Sequence, residues 1–72
     1  MEQEGDGMKF IILTRPKDGE KIYCNVDNIS TFYRNYGDKN KTVVQFVGGE
    51  DCYLNVLESP EAIANLIERV TE

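Results

Sequence analysis

The sequence predicts an α+β domain: a small, mostly antiparallel sheet of five strands, or a partly closed barrel, with one C-terminal helix. Two patterns predict it. Between Met8 and Val56, five short apolar or alternating runs are separated by turns rich in Gly, Pro and Asn. After Ser59 the apolar period changes from two to that of a helix. A chain of 72 residues makes one domain at most, with a marginal core.

The first run, Met8–Thr14, carries Phe10, Ile11, Ile12 and Leu13. It is too short for a helix and reads as a strand covered on both faces. Pro16-Lys17-Asp18-Gly19 is a turn, because Pro presets φ and Gly accepts positive φ at the exit. Glu20–Val26 then alternates, with Ile22, Cys24 and Val26 on one side and Lys21, Tyr23 and Asn25 on the other. The two runs form a hairpin. Asp27-Asn28 is a corner, and Ile29–Arg34, β-branched and aromatic, is a third strand. A polar loop, Asn35–Lys41, leads to Thr42–Val47. The Gly48-Gly49 turn joins that strand to Glu50–Val56 in a second hairpin.

The helix is predicted over Pro60–Val70. Ser59 is a suitable N-cap, and Pro60 fits the first helical position, where a missing N–H is harmless. Glu58 and Glu61 lie near the positive end of the helix dipole. Ile63, Leu66, Ile67 and Val70 form one apolar stripe, which must dock on a sheet to persist.

The net charge of −5 is unevenly spread. Three acids fall in Met1–Gly7, read as a disordered acidic tail, and the last fifteen residues hold four acids against Arg69. The stretch between, Met8 to Leu57, has seven bases and six acids. A nearly neutral sheet between acidic ends argues against direct nucleic-acid binding, which needs clustered Lys and Arg. No apolar run is long enough to span a bilayer, and the N-terminus lacks the features of a signal peptide, so a cytoplasmic protein with no membrane association is expected. Cys24 and Cys52 fall on in-facing positions and are expected to be reduced and buried.

Gly19-Glu20-Lys21-Ile22-Tyr23-Cys24-Asn25-Val26 echoes Gly49-Glu50-Asp51-Cys52-Tyr53-Leu54-Asn55-Val56 at Gly, Glu, Tyr, Asn and Val. Two copies do not establish a repeat, and return strands of hairpins share this grammar. Duplicated or not, the pattern puts Tyr23, Asn25, Tyr53 and Asn55 opposite the apolar residues. With Tyr33, Arg34 and Tyr36 around the long loop, they are the interaction candidates, since Tyr and Arg are enriched at binding hot spots.

Nothing points to catalysis. The chain has no His, so the usual proton shuttle near neutral pH is missing. The thiols face inward, and the acids sit at turns and the helix start, where solvation and capping explain them. Gly48-Gly49 is followed by neither Lys-Ser/Thr nor a helix. No catalytic, cofactor or metal-ligand residue is assigned; the protein is expected to be no enzyme and to need no cofactor.

The order Leu13-Thr14-Arg15, Gly19, Tyr23, Asn25, Ile29, then Gly49, Tyr53, Val56 and Glu58-Ser59-Pro60-Glu61 resembles the small flagellar protein FlbD family. The likeness spans Met8 to Val70 and implies a sheet-plus-helix module with a non-catalytic role. The acidic tail and the Asn35–Lys41 loop depart from the family pattern. Leu13-Thr14-Arg15-Pro16 and Gly19-Glu20-Lys21 also resemble the RNA-binding CsrA family, a likeness that ends at Ile22.

The expected function is therefore that of a small non-catalytic protein–protein interaction module with an unidentified protein partner. One helix stripe cannot cover both faces of a five-stranded sheet. Either the sheet curls into a barrel or a second copy supplies cover as a two-fold dimer, the favoured alternative. The competing reading, from the acidic ends, is a small inhibitor or decoy of mobile-element type that occupies a partner's basic nucleic-acid-binding surface.

Overall fold

The computed structural model describes residues 9–49 and 51–71; the expected tail, Met1–Gly7, and the expected strand residues Met8 and Glu50 lie outside them. The elements run β1 (Phe10–Thr14), β2 (Lys21–Asn25), a single 3-10 turn at Val26–Asn28, β3 (Ile29–Arg34), β4 (Thr42–Phe46), β5 (Tyr53–Val56) and α1 (Pro60–Thr71). Every expected element is present, within three residues at each described end.

The strands do not join as one sheet or barrel. β1 and β2 form a two-stranded antiparallel sheet, and β3-β4-β5 a separate three-stranded one. The break falls at the expected corner. There the Asn25 side chain accepts from Asp27 N at 2.9 Å and holds the 3-10 turn that ends β2. Among the described residues, one backbone bond joins β1 to the chain leaving β5, Leu57 N to Thr14 O at 3.0 Å. No ladder follows it, because Thr14 N is taken instead by the Glu58 side chain.

The β1–β2 register pairs Phe10 with Asn25, Ile12 with Tyr23 and Thr14 with Lys21. Its turn closes through Gly19 N to Arg15 O (2.8 Å), with Gly19 at φ 76, where a side chain would be strained. In the other sheet, Phe32, Val44 and Leu54 form one row across the strands, and Tyr33, Val43 and Asn55 the next. A register shift lies between Ile29 and Thr31.

The core joins both sheets to the helix. Ile11, Leu13, Cys24, Val44, Val56 and Ile63 are buried together, with Leu66, Ile67 and Val70 packed against them. α1 therefore buries the expected stripe and packs against β1 and β3. Ser59 Oγ accepts from Ala62 N at 3.1 Å, so the expected cap is made.

Two burial expectations are corrected. β1 is covered on one face only: Ile11 and Leu13 are buried, whereas Phe10 and Ile12 are 44% and 46% exposed. Among the described residues, none forms a layer on the far side of the two-stranded sheet. Cys52 is exposed rather than buried, because β5 starts only at Tyr53 and Cys52 belongs to the preceding turn. Both cysteines are free thiols, as expected.

Candidate interaction surfaces

The interaction candidates separate onto two sheet faces. Paired residues of a sheet project to the same side and alternate along each strand. Tyr23 and Asn25 therefore share the outward face of the β1–β2 hairpin with their partners Ile12 and Phe10. Tyr23 is 68% exposed and lies directly opposite Ile12. The result is a contiguous apolar and aromatic patch of Phe10, Ile12 and Tyr23. Lone exposed apolar side chains are ordinary; here three share one sheet face. Asn25 is already engaged in holding the 3-10 turn.

Tyr33, Tyr53 and Asn55 share the outward face of the β3-β4-β5 sheet with Val43 and Gln45. Tyr36, in the loop after β3, brings its ring to 6.1 Å from that of Tyr33. Asn55 Oδ1 accepts from Asn35 Nδ2 at 2.8 Å. The other oxygen contacts of that loop are local: Asn35 Oδ1 accepts from Gly37 N (2.8 Å) and Asp38 N (3.1 Å). The Asn35–Lys41 loop is thus built by its own side chains and anchored on β5, which presents Tyr36 almost fully to solvent.

Arg34 does not join these tyrosines. It follows Tyr33, so it projects to the other side of β3, beside α1. Its Nη1 donates to Lys39 O at 2.8 Å and its Nη2 lies 3.9 Å from Glu61 Oε1. It links loop and helix. The two echoed Asn residues also have different tasks, one at a backbone turn and one at a side-chain bridge.

A feature that residue-type reasoning missed is the Glu58 carboxylate. It accepts from Thr14 N at 2.9 Å and Thr14 Oγ1 at 2.7 Å. Lys21 Nζ donates to the same hydroxyl at 3.3 Å. Helix-start acids suggest dipole compensation, and only the shape of the chain brings β1 to them. At the hairpin turn, Arg15 pairs with Asp18 through two bonds (3.0 and 2.8 Å) and with Glu20 at 2.9 Å. The Arg15 hydrogen bond, with a second from Glu20 N, lowers the Asp18 pKa to about 2. Burial, aided by the Glu58 charge, pushes the Cys24 thiol up, away from the reactive thiolate.

Among the described residues no group of three Cys, Asp or Glu side chains is placed to hold a metal ion, and no helix is long and apolar enough to cross a membrane. No family model, curated protein or solved structure matches the chain.

Proposed function

We infer that this protein is a small non-catalytic protein–protein interaction module that associates with a second copy of itself through the outward face of the β1–β2 hairpin. The observation that carries this reading is the cluster of Phe10, Ile12 and Tyr23, each more than two-fifths exposed on one sheet face. A chain this short has little core to spare, and a two-fold dimer would cover that face in both copies at once. The surrounding Asn25, Thr14 and Lys21 supply a polar rim, the usual anatomy of a contact surface.

The decoy reading asks for a contiguous acidic face. Glu58 is turned onto Thr14, and Glu61 faces Arg34, so two of the helix-start acids are occupied. That weakens it against the interaction module. The resemblance to the FlbD family fits a non-catalytic module, and several residues that carry it are structural: Leu13 and Val56 in the core, Ser59 as the cap, Thr14 with Glu58. Sedimentation equilibrium across the micromolar range tests self-association. A mass rising from one chain towards two supports it, and a single-chain mass throughout refutes it.

A further inference from the structure

A second surface lies away from the hairpin patch, where β1 and β5 separate. Past the bond from Leu57 N to Thr14 O, no backbone bond joins these strands among the described residues. A cleft of about 580 Å³ opens there, between β5 and the Pro16 turn. Ile22 and Leu54, both packed on the core, give it an apolar part. Arg15, Lys17 and Lys41 line it, and among the described residues no carboxylate does, in a chain whose net charge is −5.

Two kinds of unused polar group face this space. Among the described residues β5 pairs only with β4, which leaves its other edge open there. Phe46 N bonds Cys52 O, which fixes the alternation and turns the N–H and C=O of Asn55 to that open edge. The Asn55 side chain spends its oxygen on Asn35, which leaves its Nδ2 without an acceptor among the described residues. Among the described residues Lys17 is paired with no carboxylate, while Arg15 and Lys41 hold exposed pairs to Asp18, Glu20 and Asp38 that a ligand can exchange at little cost.

We propose that this cleft binds an extended acidic peptide of another protein, which adds along the β5 edge at Asn55, sets an apolar side chain on Ile22 and Leu54, and places a carboxylate among Lys17, Lys41 and the Asn55 amide. Strand addition supplies main-chain hydrogen bonds, and the pocket supplies selectivity. A nucleic acid is the poorer fit, because three cations, two of them already paired to Asp18, Glu20 and Asp38, are too few to form the stripe that a phosphate backbone needs. The proposal rests on the interaction-module reading only in taking a protein ligand; it does not use the hairpin face and holds for monomer or dimer.

The test is amide-resolved NMR titration of the full chain with a blocked peptide of alternating Glu and Leu. The same peptide with Gln for Glu, and a thymidine oligonucleotide, are the comparison ligands. The expected result is shift changes confined to the cleft, slower exchange of the Asn55 amide, and binding weakened roughly tenfold or more by the Gln peptide or by Lys17→Glu, a loss of ~1.4 kcal/mol per tenfold step. Lys17→Glu alters an exposed turn residue, so its spectrum should stay folded; Lys41→Glu provides the second variant. Shifts centred on Phe10, Ile12 and Tyr23, equal binding of the Gln peptide, tighter binding of the oligonucleotide, no binding of the acidic peptide, or full affinity in both Lys variants would overturn the proposal.

Discussion

Glu58 holds Thr14 by two hydrogen bonds, 2.9 Å to its backbone N–H and 2.7 Å to its hydroxyl, across forty-four residues of chain. Thr14 ends β1, and Glu58 lies just before the Ser59 cap of α1. One carboxylate therefore fastens the two-stranded sheet to the start of the helix, at the point where the two sheets fail to merge. Glu58→Ala strips both acceptors and leaves a partly buried N–H unpaired, a loss of about 1–3 kcal/mol. At this chain length that lowers Tm by about 4–8 °C per kcal/mol. Glu58→Gln, which keeps one carbonyl acceptor, should fall between. Thermal unfolding of the three proteins checks the order; an unchanged Tm in Glu58→Ala contradicts it.

The thiols should differ in reactivity. Cys52 is exposed and Cys24 buried, with its thiolate disfavoured by burial and by Glu58. A thiol reagent should label one cysteine quickly in the folded protein and the second only on unfolding. Mass spectrometry should place the fast label on Cys52. Equal rates at both positions would contradict the burial of Cys24.

Asp18 should titrate near pH 2 instead of its ordinary 3.8, first because of the Arg15 hydrogen bond. Its folded pKa is lowered, so its contribution to stability is complete above about 3.8 and is lost as pH falls through about 2. Carboxyl NMR titration reads this directly. Arg15→Gln should move the midpoint back towards 3.8, and a midpoint unaffected by that change would show that the pair is not formed in solution.

Substitutions on the two sides of β1 and α1 should behave oppositely. Ile63 is fully buried, and Ile63→Ala should cost about 2–5 kcal/mol. Ile12 is half exposed, so in the isolated chain Ile12→Lys should change stability by no more than about 0.5 kcal/mol while abolishing self-association. Urea unfolding of dilute protein and sedimentation of concentrated protein separate the two effects. An Ile12→Lys variant that still associates as the parent does would remove the hairpin face from the account.

Local patterning made the elements legible: alternation in Glu20–Val26, the Gly48-Gly49 turn and the Ser59-Pro60 start of α1 all lead to the observed strands and helix. Sheet membership was not legible, because no local signal says whether Asp27-Asn28 merely bends a sheet or ends it. The 3-10 turn held by Asn25 ends it. Burial also misled at Cys52, because the expected strand began at Glu50 whereas β5 starts at Tyr53 and leaves Cys52 in the preceding turn. The continuous run from Phe10 to Leu13 suggested cover on two faces, whereas among the described residues it is covered on only one. Tyr53 and Asn55 were placed on the outward side by period alone, whereas the Thr14–Glu58 contact and the cleft at Asn55 depend on how the two sheets meet.

The central claim is that the face bearing Phe10, Ile12 and Tyr23 is where two copies meet. Isotope-filtered NMR on an equal mixture of labelled and unlabelled chains tests it most directly. The account predicts intermolecular contacts between the Ile12 methyls of one copy and the Phe10 and Tyr23 rings of the other, lost in Ile12→Lys. Intermolecular contacts centred on Tyr33 and Tyr53, or none at concentrations where the hairpin amides are well resolved, would contradict it.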